Sequence, residues 1–257
     1  MLSSAPTPAA LTRVVDAFWR FEGHGAHRVL PDGCIDFVFD LVSGDARVVG
    51  PMQRAALLEL PSGTRLFGVR FLPGAASSFI GVEASALVDL DPPLSELTCA
   101  ACASLGERVA AATDDEARVA LLARYLTASG ARRRAVDARI GRAVTSLSRG
   151  AKVSQVAALL GLGERQLERL FLERVGVGPK RFARIARLQR TLSLSGSLSQ
   201  ADLAAHAGYA DEPHLLREFR ELAGVTPSAL RAERAPLLGP MSDSSKPDSA
   251  SGTRRTS

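Results

Sequence analysis

Arg165, Gln166 and Arg169 stand in the string ERQLERLFLERVGVGP (164–179). At ~100° per residue they share the side of a helix opposite Leu167, Leu170 and Phe171, with Val175 beside the apolar group. A guanidinium fork at that spacing can donate to guanine O6 and N7, a glutamine can read adenine, and neighbouring arginines can hold phosphates. The string EPHLLREFRELAGVTP (212–227) repeats the pattern 48 residues later, with Leu215, Phe219 and Leu222 inward, Pro213, Arg217 and Arg220 outward, and His214 at the edge.

Other residues invite different chemistry. His24, His27 and Cys34 are three potential Zn²⁺ ligands within eleven residues. His27 and Cys34, however, open strand-like runs, where cysteine behaves as a small apolar residue. Cys99 and Cys102 form a single CxxC inside an Ala-rich helical stretch, with neither a second pair nor a clear βαβ context to support zinc or redox work. Asp32 and Asp36 read as turn plus strand rather than as a carboxylate pair. No P-loop, GxGxxG or serine nucleophile elbow is present. No catalytic residue, metal or cofactor is therefore expected.

The elements that must position these groups differ between the two halves. CIDFVFDL (34–41) places Ile35, Phe37, Phe39 and Leu41 on one face, and TRLFGVRFLPG (64–74) alternates Phe67, Val69 and Phe71 with Leu66, Gly68 and Arg70. Turn signals at 31–33, 43–45, 50–51 and 61–63 divide a strand-like region running from about 27 to 73 into a small sheet or partial barrel. Residues 95–112 and 114–128 are Ala/Leu-rich and helical in texture. Beyond the basic junction ARRRAVDARIGRAV (131–144), everything to about 232 reads as helices punctuated by glycine and proline. The expectation is an α+β chain: a flexible N-terminus (1–10), a β-rich sensor or dimerisation domain with a helical end (11–130), an all-α domain with two helix-turn-helix units (131–232) and a disordered tail (233–257).

Eight of the sixteen positions in the two strings agree, and AALLGL (157–162) lies over AAHAGY (204–209) just ahead of them. Ala157 and Ala204 allow a close helix crossing, while Gly161 and Gly208 suit the positive φ that ends a helix. Ser199, with Asp202 three residues on, is an N-cap in capping-box position. Between the units, PKRFARIARLQRTLSL (179–194) carries Phe182, Ile185, Leu188 and Leu192 on one stripe and Arg181, Arg184, Arg187 and Arg190 on another. Its sixteen residues would span ~24 Å, a spacer of the order needed for successive major grooves ~34 Å apart.

Bulk properties agree with a nucleic-acid partner. Residues 1–130 hold 10 Lys and Arg against 15 Asp and Glu, a net of −5, whereas 131–235 hold 19 against 10, a net of +9. Nearly all the cations are arginine. No apolar run approaches the ~20 residues needed to span a bilayer, no signal peptide is apparent, and three cysteines make no disulfide framework, so a cytoplasmic, membrane-free protein is expected.

The strings GLGERQLERLF, GPKRF and LAAHAGYADEPHLLREFRELAGVTPSALR resemble the C-terminal DNA-binding domain of AraC/XylS-type transcriptional regulators over about 137–231. The resemblance implies a seven-helix domain reading adjacent major grooves of double-stranded promoter DNA. It implies Arg165, Gln166 and Arg169 as groove-facing in the first unit, and Glu212, Leu216 and Arg217 in the second. Arg220, Lys180 and Arg181 complete the expected DNA-binding set.

This chain departs from the family in having Pro213 where a small polar residue is common and Leu215 where phenylalanine is. The first unit is therefore expected to carry most of the sequence specificity and the second to clamp the backbone. RVLPDGCIDFVFDL, VVGPM and LFGVRFLPGAASSFIGV look similar to a β-rich domain found ahead of this DNA-binding domain in some regulators, with no ligand to carry over. The partners so implied are promoter DNA and RNA polymerase, with a small-molecule effector or a second copy of the chain acting through the N-terminal half. Three cysteines in all argue against a four-cysteine DNA-repair alkyl-transfer site. The alternative expectation is a metal or redox sensor, or an enzyme, in residues 20–130 with accessory DNA binding.

Overall fold

The computed structural model describes residues 2–97, 104–130, 137–194 and 198–234. Cys99 and Cys102, residues 131–136 of the basic junction and nearly all of the 233–257 segment lie outside these residues, and so do the expectations attached to them.

The N-terminal half is built on one antiparallel sheet in the order β1-β2-β5-β3-β4, where β1 is Leu2–Ala5, β2 Val15–Val29, β3 Asp36–Asp40, β4 Ala46–Val49 and β5 Ala56–Phe71. One face carries Phe18, Phe37, Phe39, Phe67, Val69 and Phe71, all buried against the segment 75–87 and helices α1 (Leu94–Leu97), α2 (Leu105–Ala111) and α3 (Asp115–Gly130). Phe37, Phe71 and Phe79 stack in series, with centroids 4.8 and 5.3 Å apart.

Three expectations change. Residues 2–5 are not loose, because β1 pairs with β2 from Leu2↔Phe21 to Ala5↔Phe18. The long strand β2 begins at Val15, well before residue 27. Pro61-Ser62-Gly63 does not separate strands: β2 and β5 stay paired from Val15↔Phe71 to Val29↔Ala56, and the tripeptide is absorbed in a register shift opposite Gly23–Gly25. Gly25 and Gly63 both adopt positive φ there, which explains how the long ribbon bends without breaking.

The C-terminal half is α4 (Ala138–Ser148), α5 (Val153–Leu159), α6 (Glu164–Arg174), α7 (Pro179–Leu194), α8 (Gln200–Ala207), α9 (Glu212–Ala223) and α10 (Pro227–Arg234). Its core gathers Ile140, Leu147, Val156, Leu167, Phe171, Phe182, Ile185, Leu188, Phe219 and Leu222, and takes in Leu30 from the sheet side. A smaller cluster of Leu203, Ala204, Ala207, Tyr209 and Leu215 closes the second unit.

The two halves meet through backbone as well as side chains. Ala55 N–H donates to Leu222 O at 2.7 Å, and Gln189 Nε2 donates to Pro31 O at 2.6 Å. Arg28 donates to both carboxylate oxygens of Glu233 at 2.8 and 3.0 Å and to Ala223 O at 3.2 Å. Gly33 lets Phe182 approach so closely that a β-carbon there would lie 2.7 Å from the ring. Among the described residues, no helix is long and apolar enough to cross a membrane.

Candidate DNA-binding surface

In the first unit α5 ends at Gly161, whose φ of +65° turns the chain, and Leu162 N–H donates back to Ala157 O at 2.9 Å. Gly163 then opens α6, its N–H donating to Gln166 Oε1 at 2.9 Å. Gln166 thus secures the start of the helix with its carbonyl oxygen and keeps its amide nitrogen to donate. Leu167, Phe171 and Val175 are buried, Leu170 is half-buried, and Arg165, Gln166 and Arg169 are exposed, as the helical projection requires.

The second unit repeats this construction with stronger caps. Ser199 Oγ accepts from Asp202 N–H at the start of α8, and Gly208 ends it at φ +86°. Asp211 accepts from His214 N–H at 2.7 Å to open α9, and Gly224 ends α9 at φ +75°. Leu215, Phe219 and Leu222 face the core. Arg217 and Arg220 are exposed, whereas Glu212 and Leu216 are half-buried. Arg165, Arg169, Lys180, Arg217 and Arg220 enter none of the ion pairs found among the described residues.

Arg181 does not join that set. Its guanidinium bonds Glu221 of α9 at 3.0 Å and the carbonyl of Gln53 across the junction between halves. The arginine stripe of α7 likewise turns inward. Arg184 Nε and Arg187 Nε grip Glu218, which is only 6% exposed, at 2.8 and 2.9 Å. Arg184 also bonds Glu221, and the two arginines on Glu221 (Arg184, then Arg181) hold its carboxyl at about 2. Arg187 lies over the Tyr209 ring at 4.9 Å, and Arg190 donates to the carbonyls of Ala207 and Ser148 at the ends of α8 and α4. Arg181, Arg184 and Arg187 tie α7 to α9, and Arg190 ties it to α8 and α4. Periodicity alone could not separate arginines so engaged from free ones.

Glu218 is the residue the sequence comparison passed over. It occupies the place of Leu170 in the repeat, an inward position, and a charge at an inward position is itself a signal of a buried ion pair.

The metal alternative finds no cluster to use. Among the described residues no group of three or more His, Cys, Asp or Glu could hold a metal ion. Cys34 is half-buried, its thiol pushed well up by burial and by Asp32 and Asp36, which disfavours a thiolate ligand. His24 is exposed, whereas His27 stacks against Phe21 with centroids 5.0 Å apart.

Residues 156–233 match the family described as a helix-turn-helix domain, and residues 3–93 match a domain of unknown function, DUF6597. A protein of Mycobacterium tuberculosis described as "Probable bifunctional transcriptional activator/DNA repair enzyme AlkA" is 40% identical over 89 residues, covering 32% of this chain and 17% of that protein. The chain thus spans about a sixth of the length of the curated relatives it matches.

Similar solved structures include a transcriptional regulator with an AraC-type DNA-binding domain from Chromobacterium violaceum, at 28% identity over 38% of this chain and 92% of that one, TM-score 0.36. The DNA-binding domain of AdpA in complex with a target DNA matches at 25% identity over 38% and 91%, TM-score 0.34. ToxT from Vibrio cholerae matches at 12% identity over 89% and 97%, TM-score 0.45.

Proposed function

We propose that this chain, with a helix-turn-helix domain of the AraC type at 156–233 and a DUF6597 domain at 3–93, is a transcriptional regulator that binds double-stranded promoter DNA sequence-specifically. The observation that carries the reading is the repeated geometry. In both units a capped helix, pinned by a buried leucine and phenylalanine, offers exposed arginines that pair with no carboxylate among the described residues.

Arg165, Gln166 and Arg169 of α6 read base edges in one major groove. Arg217, with Glu212 and Leu216, borders the next groove, and Arg220 and Lys180 hold phosphates. Arg181, engaged by Glu221 and Gln53, is left out of the contact set. Pro213 stands where α6 has Arg165, so α9 clamps more than it discriminates. The organisation is a β-rich unit over 11–130 and a DNA-binding unit over 131–232. An effector or a second copy acts through the former, and RNA polymerase is the downstream partner.

We read the chain as non-catalytic. The repair activity named for the mycobacterial relative stays with that protein, of which this chain spans 17%.

The test is selection of binding sites from randomised duplex DNA with the full chain. Arg165→Ala and Arg169→Ala should each weaken binding to the selected site by about 1–3 kcal/mol and relax preference at one base position. Selected DNA bound equally well by both variants would overturn the assignment of α6 as the reader.

A further inference from the structure

The face of the sheet opposite the phenylalanine core is concave and open. It encloses a cavity of about 1170 Å³, floored by β2, β5 and β3 and rimmed by the 50–55 loop and by Arg181 of α7. A volume of that order exceeds most small-molecule sites, which run to ~1,000 Å³. The floor is apolar, with Trp19, Phe21, Val38, Leu58 and Leu66 on it. Gly68 is what permits this floor: a β-carbon there would lie 2.1 Å from the Trp19 indole, so only glycine lets the ring lie over β5.

The polar groups around the cavity are unevenly matched. The carboxylates already have donors: Asp36 is held by Arg70 at 3.0 and 3.2 Å, Asp89 accepts from Gln53 at 2.8 and 3.1 Å, and Asp91 pairs with Arg47 at 3.2 Å. Donors are left over. Trp19 Nε1 and Arg181 Nε are both buried without an acceptor among the described residues, and the exposed Arg54 takes part in none of the ion pairs and hydrogen bonds found among them. A buried donor without an acceptor carries a desolvation cost, which an incoming acceptor relieves.

We propose that this cavity is a binding site for a small, largely apolar molecule bearing an anionic, hydrogen-bond-accepting group, with Arg54 at the mouth as its charge partner. This rests on the reading of the N-terminal half as a sensing unit and assigns that unit its ligand chemistry. The apolar floor takes the body of the ligand, and the surplus of donors selects an acceptor over a donor or a cation.

Trp19 is the sole tryptophan of the chain, so its fluorescence reports on this cavity alone. The full chain is titrated with 8-anilinonaphthalene-1-sulfonate and, separately, with its uncharged analogue N-phenyl-1-naphthylamine, following energy transfer from Trp19. The expected result is saturable one-to-one transfer to both, with the sulfonate bound at least 5-fold tighter. Arg54→Ala should remove that advantage and leave the neutral probe unchanged, and Val38→Phe, which fills the floor, should weaken both at least 5-fold. Equal binding of the two probes, a sulfonate affinity indifferent to Arg54→Ala, or no transfer from Trp19 would overturn the proposal. DNA binding by the same preparation is measured separately, so a chain that binds DNA but neither probe loses the cavity assignment alone.

Discussion

Glu218 and Glu221 sit three residues apart on α9 and share Arg184 from different degrees of burial. Glu218, 6% exposed between Arg184 and Arg187, is a buried ion pair, and removing one partner strands the other charges. Glu221 is 41% exposed, yet its carboxyl is held at about 2, against an ordinary 4.5, by hydrogen bonds from Arg184 and Arg181. Its folded-state value is depressed, so its contribution to stability is full above pH ~4.5 and is lost as the pH falls toward 2. Urea unfolding across that range should show the loss, and Glu221→Gln should flatten it; an unchanged pH slope in the variant would remove this pair from the account.

The outward arginines make a complementary prediction. If Arg217 clamps while Arg169 reads, Arg217→Ala should weaken binding about equally on selected and unrelated DNA and lower the salt slope by ~1. Arg169→Ala should weaken mainly the selected site. Quantitative binding at several salt concentrations checks both.

At the scale of elements, the helix-turn-helix units were legible because their determinants are local. Ser199, Asp211, Gly161, Gly208 and Gly224 cap or stop helices by their own side chains or by positive φ, and the boundaries of α7 match the sequence reading residue for residue. The sheet was only half legible. In β2, Phe18 points to the core while Trp19 and Phe21 line the cavity, so apolar residues occupy both faces and the alternation that identifies a half-buried strand disappears. The bulge at Gly23–Gly25 then shifts the phase of what remains. The inward turn of Arg181, Arg184 and Arg187 was equally hidden, because it depends on carboxylates some 30–40 residues away.

Two glycines separate local from tertiary demand. Gly161 and Gly176 both hold positive φ, but a β-carbon at Gly161 would meet open space, whereas at Gly176 it would lie 2.5 Å from Pro51 Cγ and 2.8 Å from Ala84 O. Gly161→Ala should therefore destabilise by only the backbone term of about 1–2 kcal/mol. Gly176→Ala should cost clearly more, since Ala84 O is backbone and cannot swing aside. Denaturant midpoints of the two variants decide it, and equal losses would mean the halves do not press together at Gly176.

For the whole molecule, the consequence lies in where the cavity rim and the second recognition helix share atoms. Ala55 donates to Leu222 O, Arg28 reaches Ala223 O and Glu233, and Arg181 joins Gln53 O to Glu221, so the C-terminal end of α9 is anchored to the lip of the cavity at several points. A molecule that displaced the 50–55 loop or drew on Arg181 would act on α9 directly, without a relay through either core. Coupling of this kind is reciprocal: whatever factor a bound ligand imposes on DNA affinity, DNA must impose on ligand affinity. With the sulfonate probe as ligand, its dissociation constant measured with and without saturating DNA should change by the same factor as the DNA constant measured with and without probe. Typical couplings are about 5–150-fold. Arg28→Ala removes one bond to the end of α9 and two to Glu233 of α10 while touching neither the cavity floor nor the outward arginines, so it should shrink the factor in both titrations and leave each constant, measured alone, nearly unchanged. A factor of one in the unmodified chain would mean that the junction is a fixed joint.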